Sequence, residues 1–91
     1  MVEAGDATEL ALRALRHRSR SRHELEQRLD RAGVTPDERS AALDRLTEAG
    51  LLSDDRFAEE RARTLAGRGA SDALIRHDLR RQGVEHAAVE H

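Results

Sequence analysis

Two acidic pairs, Asp54–Asp55 and Glu59–Glu60, are the residues whose type and spacing come nearest to catalytic chemistry. Paired carboxylates can hold a divalent cation or divide general acid and general base between them. Asp54 and Asp55 fall in the first turn of an expected helix, where carboxylates favour the positive pole for capping reasons alone. No histidine partner and no glycine-rich phosphate loop accompanies them. His17, His23, His77, His86 and His91 form no metal-ligand spacing, and exposed helix positions are their default. His23-Glu24-Leu25-Glu26-Gln27 opens like the zinc-protease signature but lacks its second histidine. There is no cysteine, and no serine stands in a recognisable nucleophile setting. The expectation is a protein that is not an enzyme, with no catalytic residue, metal or cofactor.

Arginine is the other chemistry-bearing residue. All sixteen basic residues are Arg, and the formal net charge is −2. The charge is segregated, basic from Arg13 to Arg31, acidic from Asp37 to Glu60, and basic again from Arg61 to Arg81. A net-charge argument for nucleic acid therefore fails, and only a local one remains. The run Arg16-His17-Arg18-Ser19-Arg20-Ser21-Arg22 is the clearest cluster. Guanidinium groups suit bidentate contact with carboxylates or phosphates. Cations at a helix C-terminus also favour the negative pole, so a solvated helix end is the competing explanation.

The elements that must carry these residues are helical. One proline, few β-branched residues and abundant Ala, Leu, Arg and Glu argue for an all-α chain of one small domain. No apolar run approaches the ~20 residues of a membrane span. The N-terminus lacks a signal-peptide pattern, so a cytoplasmic protein with no membrane association is expected.

Start and stop signals divide the chain. After a frayed lead-in, Asp6 is the expected cap of a first helix, with Glu9 in a variant capping box and Ala7, Leu10, Ala11, Ala14 and Leu15 inward. Ser21 and Glu24 form a capping box for a second helix burying Leu25, Leu29 and Ala32, closed by Gly33 and Val34. Thr35-Pro36-Asp37-Glu38 starts a third, with Ala42, Leu43, Leu46 and Ala49 inward. Gly50 ends it, with Leu51 expected to cover the last turn. Ser53 caps a fourth helix with Phe57, Ala58, Ala62, Leu65 and Ala66 inward, broken by Gly67 and Gly69. Leu52 and Phe57 have hydrophobic-staple spacing. Phe57 is the single aromatic residue and the expected anchor where two helical units meet. Ser71 caps a fifth helix with Leu74, Ile75 and Leu79 inward, ended by Gly83 and Val84; Glu85 to His91 would begin a sixth.

The pattern repeats at an offset of fifty residues. Leu15, Arg18, Ser21, Leu29, Arg31, Gly33 and Val34 recur as Leu65, Arg68, Ser71, Leu79, Arg81, Gly83 and Val84, and Leu25 matches Ile75. The expected architecture is a tandem of three-helix repeats, one complete over 1–52 and a second, incomplete, over 53–91. An incomplete unit would leave Leu74, Ile75 and Leu79 partly uncovered and make self-association through that face plausible on physical grounds.

Three stretches, RSRHELEQRLDRAGV, LDRLTEAGLLSDDRFAEERARTLAGRG and SDALIRHDLRRQGV, give the chain a resemblance to the RecX family, the bacterial regulators of the RecA recombinase. The resemblance covers nearly the whole chain from Ala7 and implies tandem three-helix repeats, usually three. It further implies binding along a RecA–DNA filament, restraint of its recombination and coprotease activities, and a place in DNA repair and the SOS response. The family offers no catalytic residue or cofactor. Its basic contact positions correspond to Arg13, Arg16, Arg18, Arg20 and Arg22 in the first unit, and to Arg61, Arg63, Arg68, Arg76, Arg80 and Arg81 in the second. With Phe57 assigned to the core, no aromatic platform remains for stacking on single strands, so any DNA contact would be electrostatic. The alternative function is a helix-turn-helix-like nucleic-acid reader with its recognition helix at 21–32 or 71–82, although Glu24, Glu26 and Asp30 on the first of these oppose phosphate approach.

Overall fold

The computed structural model describes residues 4–84, so the expected sixth helix lies outside the described residues. Five helices follow in order: α1 (Ala4–His17), α2 (Arg22–Arg31), α3 (Pro36–Glu48), α4 (Asp54–Gly67) and α5 (Asp72–Arg81). Among the described residues there is no strand.

Side-chain caps start four of them. Ser21 accepts from the Glu24 N–H at 3.1 Å while the Glu24 carboxylate accepts from the Ser21 N–H, completing the capping box. Thr35, Ser53 and Ser71 accept from the third N–H of α3, α4 and α5. Each such cap is worth about 1 kcal/mol. The first helix departs from expectation. It begins at Ala4, which puts Asp6 inside the first turn rather than at the cap, and Glu9 reaches forward to Arg16 at 3.6 Å.

The C-terminal ends follow a common scheme. At Gly50, φ is 75°, a left-handed conformation that costs glycine little. The Gly50 N–H donates to Thr47 O, and the Leu51 N–H reaches back to Leu46 O at 2.9 Å, a Schellman pair. The apolar cover is Leu52, buried to 3%, and not Leu51, which is 48% exposed. The same bonds close α2 at Gly33 and Val34 and α5 at Gly83 and Val84.

Two cores result. α1, α2 and α3 pack on one another around Ala7, Ala11, Ala14, Leu25, Leu29, Val34, Ala42, Leu43, Leu46 and Leu52. Ala32 and Ala49, expected inward, occupy C-cap positions and are exposed. α4 packs on α5 around Phe57, Ala58, Ile75, Leu79 and Val84, with Ala62, Leu65 and Ala70 at the edge. Ala66 is exposed. Leu74 is 61% exposed, whereas Ile75 and Leu79 are buried, so of the three residues expected to be uncovered only Leu74 is. Phe57 is buried, but with the second core, while Leu52 belongs to the first; the expected staple pair is divided between two cores. The described helices fill an envelope of 43 × 22 × 21 Å.

The offset of fifty is present in the backbone. α1 and α4 begin at 4 and 54 and end at 17 and 67; α2 and α5 span 22–31 and 72–81. Polar contacts join the units. Ser21 Oγ donates to Gln82 O at 2.7 Å, and the Arg22 N–H donates to Asp54 Oδ1 at 2.8 Å. Gly83 lies against His23, so close that a Cβ built at Gly83 would fall 2.4 Å from His23 Cβ.

Candidate partner-binding surface

The structure sorts the arginines into two groups. Four of the expected contact residues are held by the chain itself. Arg18 pairs with Glu24 at 2.9 Å and donates to Ser19 O. Arg20 is half-buried, donating to Ala14 O at 3.3 Å and lying 3.8 Å from Glu24. Burial, and then the neighbouring Arg18 and Arg28 charges, lower its pKa from the ordinary arginine value. Arg22 reaches Glu26 at 3.2 Å and Asp44 at 2.9 Å, tying α2 to α3. Arg61 makes a fork-like pair with Asp78, 2.8 and 3.0 Å, that clamps α4 to α5. Donating these hydrogen bonds to Asp78 raises the Arg61 pKa, and accepting them holds the Asp78 carboxyl below its ordinary value. The basic run of the first unit is thus largely structural, with its guanidinium groups already satisfied.

The second group is open. Arg13, Arg63, Arg68, Arg76, Arg80 and Arg81 are exposed and, among the described residues, make no ion pair or side-chain hydrogen bond. Arg16 has only the solvated contact with Glu9. Arg28 and Arg31, absent from the expected set, are open in the same sense. The offset of fifty could have flagged Arg31, because it is the counterpart of Arg81. Arg13 and Arg63 are a second counterpart pair.

The concavities along the seam carry both signs. One groove of about 500 Å³ is lined by Arg22 and Arg56 together with Asp54 and Asp55. Asp54 is occupied there as a cap for α2, and Arg56 donates to Gly50 O at 2.9 Å. A smaller groove places Phe57 and Arg61 of the second unit opposite Arg18 and Ser19 of the first. Among the described residues no group of His, Asp or Glu is placed to hold a metal ion. Nor is any helix there long and apolar enough to cross a membrane.

Comparison with known proteins accounts for the tandem. The family model for the first three-helix domain of RecX matches residues 7–46, and that for the second matches residues 53–91. The chain belongs to the RecX family. A regulatory protein RecX from Halorhodospira halophila is 39% identical over 94 residues, covering 99% of this chain and 58% of the relative. One from Acidithiobacillus ferrooxidans is 41% identical over 84 residues, covering 92% and 56%. The chain therefore spans a little over half the length of these RecX relatives. A RecX crystal structure superposes with a TM-score of 0.90 over 96% of this chain and 44% of that one, at 19% identity. RecX from Lactobacillus salivarius gives 0.85 over 96% and 57%, at 26% identity. The all-α tandem of three-helix units is the RecX fold.

Proposed function

We propose that this chain docks along a RecA recombinase filament and restrains its recombination and coprotease activities. The units concerned are 1–52, closed by Leu52 in the first core, and 53–91, opened by the Ser53 cap. The observation that carries the reading is the recurrence of open arginines at equivalent positions of the two units, Arg13 with Arg63 and Arg31 with Arg81. A partner that repeats along its own axis can engage the same cation twice, and two linked weak contacts gain from effective concentration. Screening at physiological salt acts over about 8 Å, so these charges contribute on close docking rather than at long range.

The helix-turn-helix reading has weaker support. Arg22, one of the cations it would use on α2, is held by Glu26 and Asp44. DNA enters this proposal only through electrostatic contacts beside the filament. Co-sedimentation with RecA assembled on single-stranded DNA, set against binding to bare duplex and single-stranded DNA, separates the two. Stronger capture by the filament supports the regulator; equal capture by bare DNA supports the nucleic-acid reader.

A further inference from the structure

The joint between the units has two unlike halves. The socket is the start of α2, where Ser21 Oγ–H and the Arg22 N–H both donate outward and His23 offers a surface. The plug comes from the second unit: the carbonyl of Gln82, the carboxylate of Asp54, and Gly83, whose missing side chain lets the backbone approach His23.

Both halves recur fifty residues away, unused by any described residue, with Ala73 at the position of His23. The second unit carries its own socket at the start of α5. Ser71 has nearly the backbone angles of Ser21, −73° and 162° against −77° and 159°, and caps its helix in the same way. Ser21 is fully buried by the plug, whereas Ser71 is exposed. Among the described residues the Ser71 hydroxyl and the Asp72 N–H have no acceptor. The first unit carries the plug at the end of α2. Ala32 matches Gln82 in conformation, is exposed, and its carbonyl accepts from no described residue. A Cβ at Gly33 would meet nothing within 4 Å, against the tight approach at Gly83. Leu74 stands where the first unit has Glu24, so the unused socket also shows an apolar side chain that is 61% exposed.

We infer that the joint is repeated between molecules: the socket at Ser71, Asp72 and Leu74 of one copy receives the Ala32–Gly33 turn of a second copy. The occupant is indicated by continuity with the joint already present inside the chain. The contact is heterologous, so it propagates head to tail as an open chain instead of closing into a two-fold dimer. It is also weak. The internal joint benefits from a short linker that keeps its halves at an effective concentration of about millimolar, which separate molecules lack. Ala4, at the position of Asp54, brings no carboxylate, so one of the two hydrogen bonds is missing as well.

Sedimentation velocity on the 91-residue chain from about 10 μM to about 1 mM tests this. The expected result is a weight-average mass that rises with concentration and passes that of a dimer without levelling. Leu74→Glu restores the capping-box residue found in the first unit and removes the exposed apolar side chain; it should preserve helicity and weaken the rise without abolishing it, since the internal joint forms with Glu24 at this position. Ser71→Asp keeps a good cap acceptor but has no hydrogen to donate, and should weaken association at least tenfold. A chain that stays monomeric to the top concentration overturns the inference, as does a mass that levels at the dimer or one indifferent to both substitutions. A protected Asp72 amide with a monomeric mass would mean that the chain's own remaining residues cover the socket, and would overturn it equally.

Discussion

Arg22 and Asp54 lie 32 residues apart in sequence, and the Arg22 N–H donates to the Asp54 carboxylate at 2.8 Å. The first residue of α2 is thereby capped from the first turn of α4. Asp54 sits at the positive pole of its own helix and also near that of another, two favourable fields for one charge. With the Ser21–Gln82 bond beside it, this contact makes the joint between units polar and directional. Apolar area is shared within each unit; orientation between them depends on a few hydrogen bonds.

Ser21 and Ser71 provide a matched comparison, since both cap a ten-residue helix. Ser71→Ala should cost about 1 kcal/mol, the ordinary value of a lost cap. Ser21→Ala should cost about 2 kcal/mol, because it also leaves the half-buried Gln82 carbonyl without its donor. Urea unfolding of the two variants checks the difference; equal losses would mean that the joint adds nothing to stability.

The fold was legible in the sequence because its signals are local. The caps at Ser21, Thr35, Ser53 and Ser71 each require only a side chain and an N–H three residues on, and all four are present. Offset-fifty matches such as Gly33 with Gly83 gave the tandem for the same reason. What stayed illegible depends on neighbours distant in sequence. Leu51 and Leu52 are indistinguishable by periodicity, and only the packing of α1, α2 and α3 into the first core selects Leu52 for burial. Leu74 has the spacing of a core residue but faces outward on α5. Arg61 reads as an open cation until Asp78, 17 residues later, is found opposite it. On the candidate surface, composition revealed that cations are plentiful, but not which of them the chain itself consumes.

Phe57 is the largest side chain of a small second core that also includes Ile75, Leu79 and Val84. Phe57→Ala should cost about 3–5 kcal/mol. The first core contains none of these residues, so the loss should concentrate in α4 and α5. Amide exchange is the measurement. Faster exchange confined to residues 54–84, with Leu25, Leu29 and Leu43 still protected, is expected; uniform acceleration through α1 to α3 would show that the chain unfolds as one unit.

Asp78 supplies a pH dependence. Its hydrogen bonds from Arg61 hold the carboxyl below the ordinary value, so the native state binds fewer protons than the unfolded chain in the acid range. The stability this contributes is fully present above the unfolded pKa of about 4 and is lost as pH falls through the lowered folded value. Asp78→Asn should flatten the acid limb of the stability profile below about pH 4. The parent and the variant losing stability in parallel there would rule the pair out as its source.

The proposed docking surface is tested most directly by charge reversal at the recurring open arginines. Arg13, Arg31, Arg63 and Arg81 should be changed together to Glu, with Arg45→Glu as an exposed control outside the recurring pairs. Binding to RecA filaments on single-stranded DNA is then measured by co-sedimentation at two salt concentrations, alongside the far-ultraviolet spectrum. The expected result is a quadruple variant with unchanged helicity and filament affinity reduced at least tenfold, a control close to the parent, and parent binding that weakens as salt rises. A quadruple variant that binds the filament as tightly as the parent would contradict the assignment of these arginines to the partner.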